Sequence, residues 1–585
     1  MHHFSKQLLA ASAMTALSAA AAMAATTPYD LIRPTWPLSW DSTEFENFDD
    51  TTGVKIIGAL PKEVVPPNFK AGELMADTVD QAYLDAINQH ISPIRVNQAG
   101  YLESDKERQF YFVGDAKEFE VVDEMGKSLS TKVTGEFTAT SYKTASDWTI
   151  KAGTDTQMSR YSINFTGTSG TIQVGNVPQS VPTGKRLRIK VGDELSSTFI
   201  VSEDVYTMVK DATIKFFGIQ RSGNSESWFH GPSHTQDGAG TVTNVTDGAK
   251  AAELTGLKTG DLQGGWYDCG DHLKLSKTMS YAFMSLAVMS ATNPAKDVDH
   301  YAYNQGDFVK TDDVPDVLRE AAHGAAFFVN SYRAAKGVID NMVVSVGNFG
   351  SDHGWWGRPE VQDALTVTGR GGSAERDLRL GEIGSNIGGE IAAGLAIVGK
   401  LYAKYDKDFA DSCLTIAEKM YYFAKSLTLG LDTYDDGKKF VYNKEAAGWS
   451  SSAYNGNNDF EDDMALASVA LLYATGKKEY LYDALFNTET GKTGYSGAGF
   501  FENGWFAYEG ERGALLKTRK NTSGTNSHAY ALYAFYKLIL ADKDKAEAFG
   551  FTEASRLAAI EDCVADMVAN LGDVSGEGKG SITLP

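Results

Sequence analysis

The chain has 585 residues and a formal net charge of −22 at pH 7, with 42% hydrophobic and 22% charged residues. This composition is typical of globular proteins and excludes a wholly disordered chain. The excess of acidic groups would repel nucleic acid and anionic membranes, so we expect neither as a partner.

Residues 1–24 resemble a secretory signal peptide: Lys6 is followed by an Ala- and Leu-rich stretch and by the small-residue cleavage site Ala22-Met23-Ala24. No other segment has about 20 consecutive apolar residues, so we expect no membrane span. We therefore expect a secreted protein, extracellular or periplasmic, and a monomer. Its three cysteines are too few for a disulfide framework in a chain of this size.

The rest of the chain divides into three parts. Residues 25–90 are rich in proline and lack periodicity, which is typical of a leader or linker. Residues 91–203 contain short alternating runs such as "RQFYFVG" and "RLRIKVGDEL", which predict a β-sandwich. In residues 204–585 apolar residues recur at spacings of three and four, and they predict an all-α barrel or toroid of about ten or more helices.

The segment "GGWYDCGDHLKL", residues 264–275, carries two aspartates three positions apart, Asp268 and Asp271. Two carboxylates on one turn can position and deprotonate a water molecule, because crowded like charges raise the proton affinity of one of them. The alternative is structural, since aspartate is also favoured as the N-cap of a helix, and Asp271 precedes a helical pattern. The residues alone leave both interpretations open.

This segment resembles the G-G-W-x-D-A-G-D-x-x-K motif of glycoside hydrolase family 9. Four further blocks resemble family motifs in the family's order: residues 315–332, 352–360, 384–396 and 462–476. Upstream, "IRVNQAGYLESDKE" and "FFGIQRSG" resemble the start and exit of the immunoglobulin-like domain that precedes many such catalytic domains. The resemblance implies a multidomain chain, with an immunoglobulin-like β-sandwich at 91–203 and an (α/α)6-barrel catalytic domain at 204–585.

The family's chemistry implies a secreted cellulase. By this resemblance the chain would hydrolyse internal β-1,4-glucosidic bonds of cellulose and related β-glucans with inversion. Asp271 would be the general base that activates water, and Asp268 would help to hold that water. The expected partners are β-1,4-glucan polysaccharide or cello-oligosaccharides, and an exo-acting enzyme that trims cellodextrins is the alternative.

Four residues are candidates for binding sugar. His353 and Trp356 occupy family positions that contact substrate, and Tyr454 fits the tyrosine that precedes the last of the family blocks. Trp505 is a weaker candidate for stacking on a sugar ring, because the residues around it match the family pattern poorly. Core packing is the alternative for Trp356, and a loop histidine with ordinary hydrogen bonds is the alternative for His353.

Some members of the family bind zinc or calcium, although the chemistry requires no cofactor. Zinc is not expected, because Ser222 and Ser233 stand where the family often has cysteines, and zinc prefers thiolate and imidazole. The acidic segment "NGNNDFEDD" is a candidate site for a structural calcium ion, because some family members bind calcium there. The candidate ligands are Asn458, Asp459, Asp462 and Asp463. A solvated acidic loop is the alternative.

One part of the family pattern is missing before Pro585. The family's general acid is a glutamate in an N-E-x-A-type segment, preceded by a P-H-H-R segment, and neither occurs in the sequence. We therefore expect a barrel that is incomplete at its C-terminus. Three explanations remain open. The sequence is a fragment or a frameshifted reading, or it is a natural truncation that binds glucan with weak or no hydrolysis. In the third explanation, another carboxylate such as Glu577 replaces the acid.

Overall fold

The computed structural model describes residues 92–152, 161–223, 232–238, 242–243, 260–299, 313–348, 352–353, 359, 362, 376–381, 383–429, 434–435, 439–440, 460–485, 504–506 and 527–571. Several predicted features lie outside these residues: the signal peptide, the linker, Trp356, Tyr454, Asn458, Asp459 and Glu577. The chain forms two compact units, and the boundary between them falls between Phe216 and Phe217.

The first unit is built from antiparallel strands. They are β1 Ile94–Arg95, β2 Gln109–Val113, β3 Glu118–Asp123, β4 Ser128–Glu136, β5 Thr138–Ala152, β6 Tyr161–Asn176, β7 Arg186–Val191, β8 Glu194–Leu195 and β9 Phe199–Ile200. One sheet has the order β1-β2-β6-β5, and the other has the order β4-β3-β7-β8 with β9 paired to β7. The prediction of an N-terminal β-structure is confirmed.

Alternating burial explains why these strands pack as they do. Along β7 the buried residues are Leu187, Ile189 and Val191, and the residues between them are partly exposed. Side chains at every second position of a strand point to one face, so this pattern places one apolar face inward. Phe110 of β2 meets Phe119 of β3 edge to face, with ring centroids 4.7 Å apart, and so joins strands of the two sheets.

The second unit is mainly helical, and its first helix begins in the first unit. The helices are α1 Val205–Gln220, α2 Ser276–Thr292, α3 Asp316–Ala334, α4 Ser385–Tyr402, α5 Lys407–Leu429, α6 Glu461–Thr475, α7 Lys478–Leu485, α8 His528–Ala534, α9 Lys543–Ala548 and α10 Glu553–Leu571. A π-helical segment, Phe535–Leu540, continues α8. Among the described residues, no helix is both long and apolar enough to cross a membrane.

Short strands accompany the helices. A four-stranded sheet has the order β10-β13-β12-β11. Its strands are β10 Val242–Thr243, β11 Lys274–Leu275, β12 Val343–Val346 and β13 Leu378–Leu380. A separate pair consists of β14 Tyr434–Asp435 and β15 Lys439–Phe440. Because β11 leads directly into α2, the small sheet fixes the start of that helix.

The helices of the second unit alternate between inner and outer positions. Helix α4 is buried at every position from Ser385 to Gly399, and α6 is buried from Asp462 to Leu472. Along the inner series, α2 contacts α4, α4 contacts α6, and α6 contacts α8, while α3 packs on α2 and α5 packs on α4. Helices that are apolar on every face must be covered all round. This alternation along the chain is that of an α/α barrel, as predicted.

Small residues allow the inner helices to approach closely. A Cβ atom built on Gly394 of α4 would lie 2.4 Å from the ring of Phe283 in α2, which is far inside van der Waals contact. Glycine at this position therefore permits the contact between α2 and α4. Strand β11 connects the Asp268–Asp271 segment to helix α2, so this contact also helps to fix the position of that segment.

A buried ion pair attaches α3 to the same segment. Glu320 of α3 accepts hydrogen bonds from Arg221 Nε at 3.0 Å and Nη2 at 2.6 Å, and from Trp266 Nε1 at 2.7 Å. Burial alone would raise the pKa of Glu320, but the charge and hydrogen bonds of Arg221 outweigh burial and lower it. Glu320 therefore remains ionised and anchors the tryptophan of the motif.

We predict that Gly394→Ala destabilises the protein although alanine favours helices. Overpacking costs about 1–3 kcal/mol, which exceeds the gain of about 1 kcal/mol in helix propensity. Urea unfolding measures the change in the free energy of unfolding. In a Phe283→Leu background the same substitution should cost clearly less, because the ring it meets is gone. An equal cost in both backgrounds would contradict the contact.

We predict that Glu320→Gln lowers the free energy of unfolding by about 3–5 kcal/mol at pH 7, because it leaves the buried Arg221 without its counter-ion. The lowered pKa of Glu320 contributes stability above its ordinary pKa of about 4.3, and this stability is lost as the pH falls further. The difference between wild type and variant should therefore narrow below about pH 4.3.

Urea unfolding from pH 7 to pH 3 measures this difference. Glu553→Gln is the control, since Glu553 forms a comparable ion pair with Arg556 at 2.9 Å but on the surface. The control should stay close to wild type. A gap between wild type and Glu320→Gln that does not change with pH would show that the carboxylate charge is not the stabilising feature.

Candidate active site

The two glycines that open the motif set the path of the backbone. Gly264 and Gly265 have φ values of +92° and +71°, in the left-handed region that favours glycine. A Cβ atom on Gly265 would also lie 2.5 Å from the sulfur of Met279 in α2. The chain can therefore turn tightly against α2 and deliver Trp266 to Glu320.

Asp271 is not the N-cap of a helix. Helix α2 begins at Ser276, its N-cap position is Leu275, and no side chain caps it. Instead, Asp271 Oδ1 accepts a hydrogen bond at 2.9 Å from the backbone N–H of Leu273, two residues on. The capping interpretation is therefore wrong, because strand β11 intervenes between the aspartate and the helix.

The second oxygen of Asp271 meets two side chains that reach the surface. Oδ2 lies 2.9 Å from His353 Nδ1 and accepts a hydrogen bond at 3.1 Å from Cys269 Sγ. The carboxylate itself has no exposed surface, whereas the His353 side chain is 50% exposed and Cys269 is exposed. An ionised carboxylate carries no proton, so His353 Nδ1 donates in this contact. Oδ2 thus contacts side chains that have exposed surface, whereas Oδ1 contacts the backbone.

Asp268 lies in the same turn and is half-buried. Its Oδ1 accepts a hydrogen bond at 2.6 Å from the hydroxyl of Thr278, and its backbone N–H donates to the Leu273 carbonyl at 2.8 Å. One ligand atom each from Asp268, Cys269 and Asp271 lie within 4.8 Å of one another. The structure therefore brings both predicted carboxylates together, with His353 beside one of them.

Cys269 is a feature of the site that the sequence did not single out. It replaces the alanine of the family motif, and that substitution was the available signal. The thiol keeps some exposed surface, but its partial burial raises its pKa to about 11, and the neighbouring Asp271 charge contributes to the shift. The thiol therefore stays protonated at neutral pH and acts as a hydrogen-bond donor to Asp271.

Trp505 lies beside α5 and α6. Its Nε1 donates to the hydroxyl of Tyr421 at 2.9 Å, and its ring meets Phe460 edge to face at a centroid distance of 6.5 Å. The indole is partly buried, and these contacts fix its orientation. Its stacking on a sugar ring stays a prediction.

Asp462 and Asp463 do not lie in a solvated acidic loop. They lie in the first turn of α6 and are buried. Ser527 satisfies one oxygen of each: its N–H donates to Asp462 Oδ2 at 2.8 Å, and its hydroxyl donates to Asp463 Oδ1 at 2.6 Å. For these two residues a solvated acidic loop is wrong, because helix α6 places them among neighbouring helices.

The other oxygens of this pair fit a hard cation. Asp462 Oδ1 and Asp463 Oδ2 are buried without a hydrogen-bond partner. Burial raises the pKa of both carboxyls, and for Asp463 the neighbouring Asp462 charge adds to the shift. Nearby, Lys277 Nζ lies 2.8 Å from Glu390 and partly offsets the negative charge. Two unpartnered carboxylate oxygens are the kind of ligand that calcium prefers.

The residues at the family's zinc position do not fit zinc. The hydroxyl of Tyr267 lies 2.6 Å from Ser233 Oγ and 2.6 Å from His234 Nδ1. Burial lowers the pKa of His234 and raises that of Tyr267, so both are neutral at pH 7. Hydroxyl groups and one imidazole hydrogen-bond to each other here, and the set contains no thiolate to bind zinc.

The model of glycosyl hydrolase family 9 matches residues 206–559. Endoglucanase A of Fibrobacter succinogenes is 27% identical over 302 residues, which cover 49% of this chain and 57% of that protein. Endoglucanase B of Cellulomonas fimi is 26% identical over 279 residues, which cover 48% of this chain and 22% of that protein. The chain thus spans less than two thirds of the length of each of these relatives.

Two solved endoglucanase structures are among those similar to the chain. A thermostable endoglucanase variant from Alicyclobacillus acidocaldarius is 17% identical, with a TM-score of 0.46, and the match covers 78% of this chain and 69% of that one. A metagenome-derived family 9 endoglucanase is 19% identical, with a TM-score of 0.47, over 85% and 86% of the two chains. The family model spans more than half of the 585 residues, and the chain therefore belongs to glycosyl hydrolase family 9.

Proposed function

We propose that this protein is a secreted endo-β-1,4-glucanase that hydrolyses internal bonds of cellulose and related β-glucans with inversion. Family membership and the names of its relatives, which are endoglucanases, support this class of reaction. The observation that carries the proposal is the contact of the buried Asp271 Oδ2 with the half-exposed His353 and the exposed Cys269.

In the proposed reaction Asp271 is the general base. Its Oδ1 is held by the Leu273 N–H, so the carboxylate has a fixed orientation, and Oδ2 accepts the proton from water. Water reaches Oδ2 by replacing the weak thiol donor Cys269. Catalytic hydrogen bonds often tighten only when substrate binds. Asp268, oriented by Thr278, accepts the second hydrogen of the same water.

The proposed hydrolysis is a single displacement at the anomeric carbon. The water oxygen attacks the anomeric carbon, the bond to the glycosidic oxygen breaks, and Asp271 takes the released proton. An acid on the opposite face donates a proton to the leaving oxygen. In inverting enzymes the two carboxyl groups are about 6.5–9.5 Å apart, which leaves room for the water. We assign the base and its partner to residues here and leave the acid unassigned.

We propose that glucose units bind beside this pair. The half-exposed His353 hydrogen-bonds a sugar hydroxyl, while Trp356, Tyr454 and Trp505 provide flat surfaces for the C–H faces of the rings. His353 would thus link substrate to base, since its Nδ1 already contacts Asp271. The protein acts as a monomer on a neutral polymer, which its net charge of −22 does not repel.

We also propose a structural calcium ion, held by Asp462 and Asp463 with Asn458 and Asp459. The two buried, unpartnered oxygens of the first pair support it. Calcium would supply positive charge between helix α6 and the segment that precedes it. It would stabilise the fold and take no part in the chemistry.

We predict that Asp271→Asn lowers kcat by about 10²–10⁴-fold, because the amide cannot accept a proton from water. Reducing-sugar release from carboxymethyl-cellulose and from cellotetraose measures the rate, and calorimetry measures cellotetraose binding, which should remain. Asp340→Asn is the matched control, since Asp340 is an exposed aspartate of the same unit.

Two outcomes would contradict the proposal. If wild type and Asp271→Asn bind cellotetraose but release sugar equally slowly, the protein is a glucan-binding protein without hydrolysis. If wild type releases sugar from cellodextrins but does not lower the viscosity of carboxymethyl-cellulose, the enzyme trims chain ends instead of cutting internal bonds.

We predict that calcium raises the melting temperature of the metal-free protein. A ligand at 100 times its Kd stabilises a protein by about 2.7 kcal/mol. The Asp462→Asn/Asp463→Asn variant should lose this response, whereas Glu461→Gln, which removes a neighbouring acid of the same turn, should keep it. No response in wild type would contradict the proposed calcium site.

A further inference from the structure

A buried charged group lies beneath the catalytic turn, residues 268–275. Arg376, which precedes β13, is at its centre, with a side chain that is 1% exposed. Its Nε and Nη2 donate to the two carboxylate oxygens of Asp237, each at 2.8 Å. Its Nη1 donates to the carbonyl of His272 and lies 3.6 Å from Asp352 Oδ1. One guanidinium therefore meets three separate segments of the chain.

Lys274 supplies a second cation to the same carboxylate. Its Nζ lies 2.7 Å from Asp237 Oδ2 and donates to the carbonyls of Leu262 and Gly264 at 2.6 and 3.0 Å. Burial would raise the pKa of Asp237, but the charges of Arg376 and Lys274 outweigh burial and lower it. Asp237 therefore remains ionised, and both cations have a partner despite their burial.

The group continues from Asp352 to His272. Gln362 Nε2 donates to Asp352 Oδ1 at 2.8 Å, and Gln362 Oε1 contacts His272 Nδ1. The other oxygen of Asp352 accepts the N–H of Asn348 at 2.6 Å. The buried group thus holds both segments that carry the candidate site.

Two residues of the buried group are next in sequence to the two candidate site residues. His272 follows Asp271, and Asp352 precedes His353. Each partner of the contact between His353 and Asp271 is therefore bonded along the chain to a residue of the buried group. A change in the distance between His272 and Asp352 would change the 2.9 Å contact between Nδ1 and Oδ2 directly.

We propose that Arg376 is a positioning residue that holds the catalytic turn and the His353 segment in register, so that Asp271 Oδ2 is correctly placed for water. This inference rests on the proposed function of Asp271. Arg376 is buried and does not reach substrate, so it acts through His272 and Asp352. A planar guanidinium can bind Asp237 with two hydrogen bonds and still donate to a third group, whereas a lysine ammonium is a point charge on a flexible stem.

The test compares Arg376→Lys with Arg319→Lys. Arg319 is a matched control, because it is also buried and donates to Asp316 at 2.9 Å and Asp299 at 3.0 Å, at the start of α3. We expect Arg376→Lys to lower kcat by up to about 10²-fold, as small misplacements of catalytic groups do, with KM close to wild type. Arg319→Lys should keep both values even if its stability falls.

A double-mutant cycle tests the route of the effect. If Arg376 acts through the His353 contact, adding Arg376→Lys to His353→Ala should lower kcat less than it does in wild type. Equal effects in both backgrounds would overturn the proposal. So would an Arg376→Lys variant in which KM changes and kcat does not.

Hydrogen exchange provides a readout that does not need hydrolysis. In Arg376→Lys the amides of residues 268–275 and 352–353 should exchange faster together, whereas in Arg319→Lys they should not. If wild type proves inactive, the proposed function fails while this measurement still tests the role of Arg376. Equal protection of both segments in wild type and Arg376→Lys would overturn the inference.

Discussion

The candidate site depends on one constraint: a carboxylate without exposed surface must receive hydrogen bonds from groups that hold it in place. Leaving a buried charge unpaired costs several kcal/mol. Asp271 receives the Leu273 N–H, the Cys269 thiol and His353 Nδ1. Two of these donors come from its own turn and one comes from a segment 82 residues further along the chain. The fold must therefore fix two distant segments relative to each other.

The surrounding structure meets this requirement from three sides. Glu320 of α3 holds Trp266 at the start of the motif, and the contact of Gly394 with Phe283 sets α2 against α4 behind it. Beneath the turn, Arg376 links it to the segment that carries His353. These interactions are buried, so solvent and salt screen them little. The position of Asp271 thus relies on packing and ion pairs that lie outside the candidate site itself.

Periodicity predicted the elements well. The spacing of three and four after residue 204 appears as helices α1 to α10, and the alternation in "RLRIKV" appears as β7. The motif also predicted that Asp268 and Asp271 lie together. Long-range pairs could not be predicted in this way, since Arg376 and Asp237 are 139 residues apart and nothing in their local patterns connects them. The sequence did not predict the burial of Asp462 and Asp463, because aspartate side chains are usually exposed to solvent.

In the proposed reaction Asp271 directs a single water molecule to the anomeric carbon. Proton NMR of the first products released from cellotetraose tests this role, because a single displacement inverts the configuration at that carbon. We expect the α-anomer to appear first and then to mutarotate. Initial release of the β-anomer would contradict it, since retention requires a covalent intermediate and a carboxylate that acts as nucleophile.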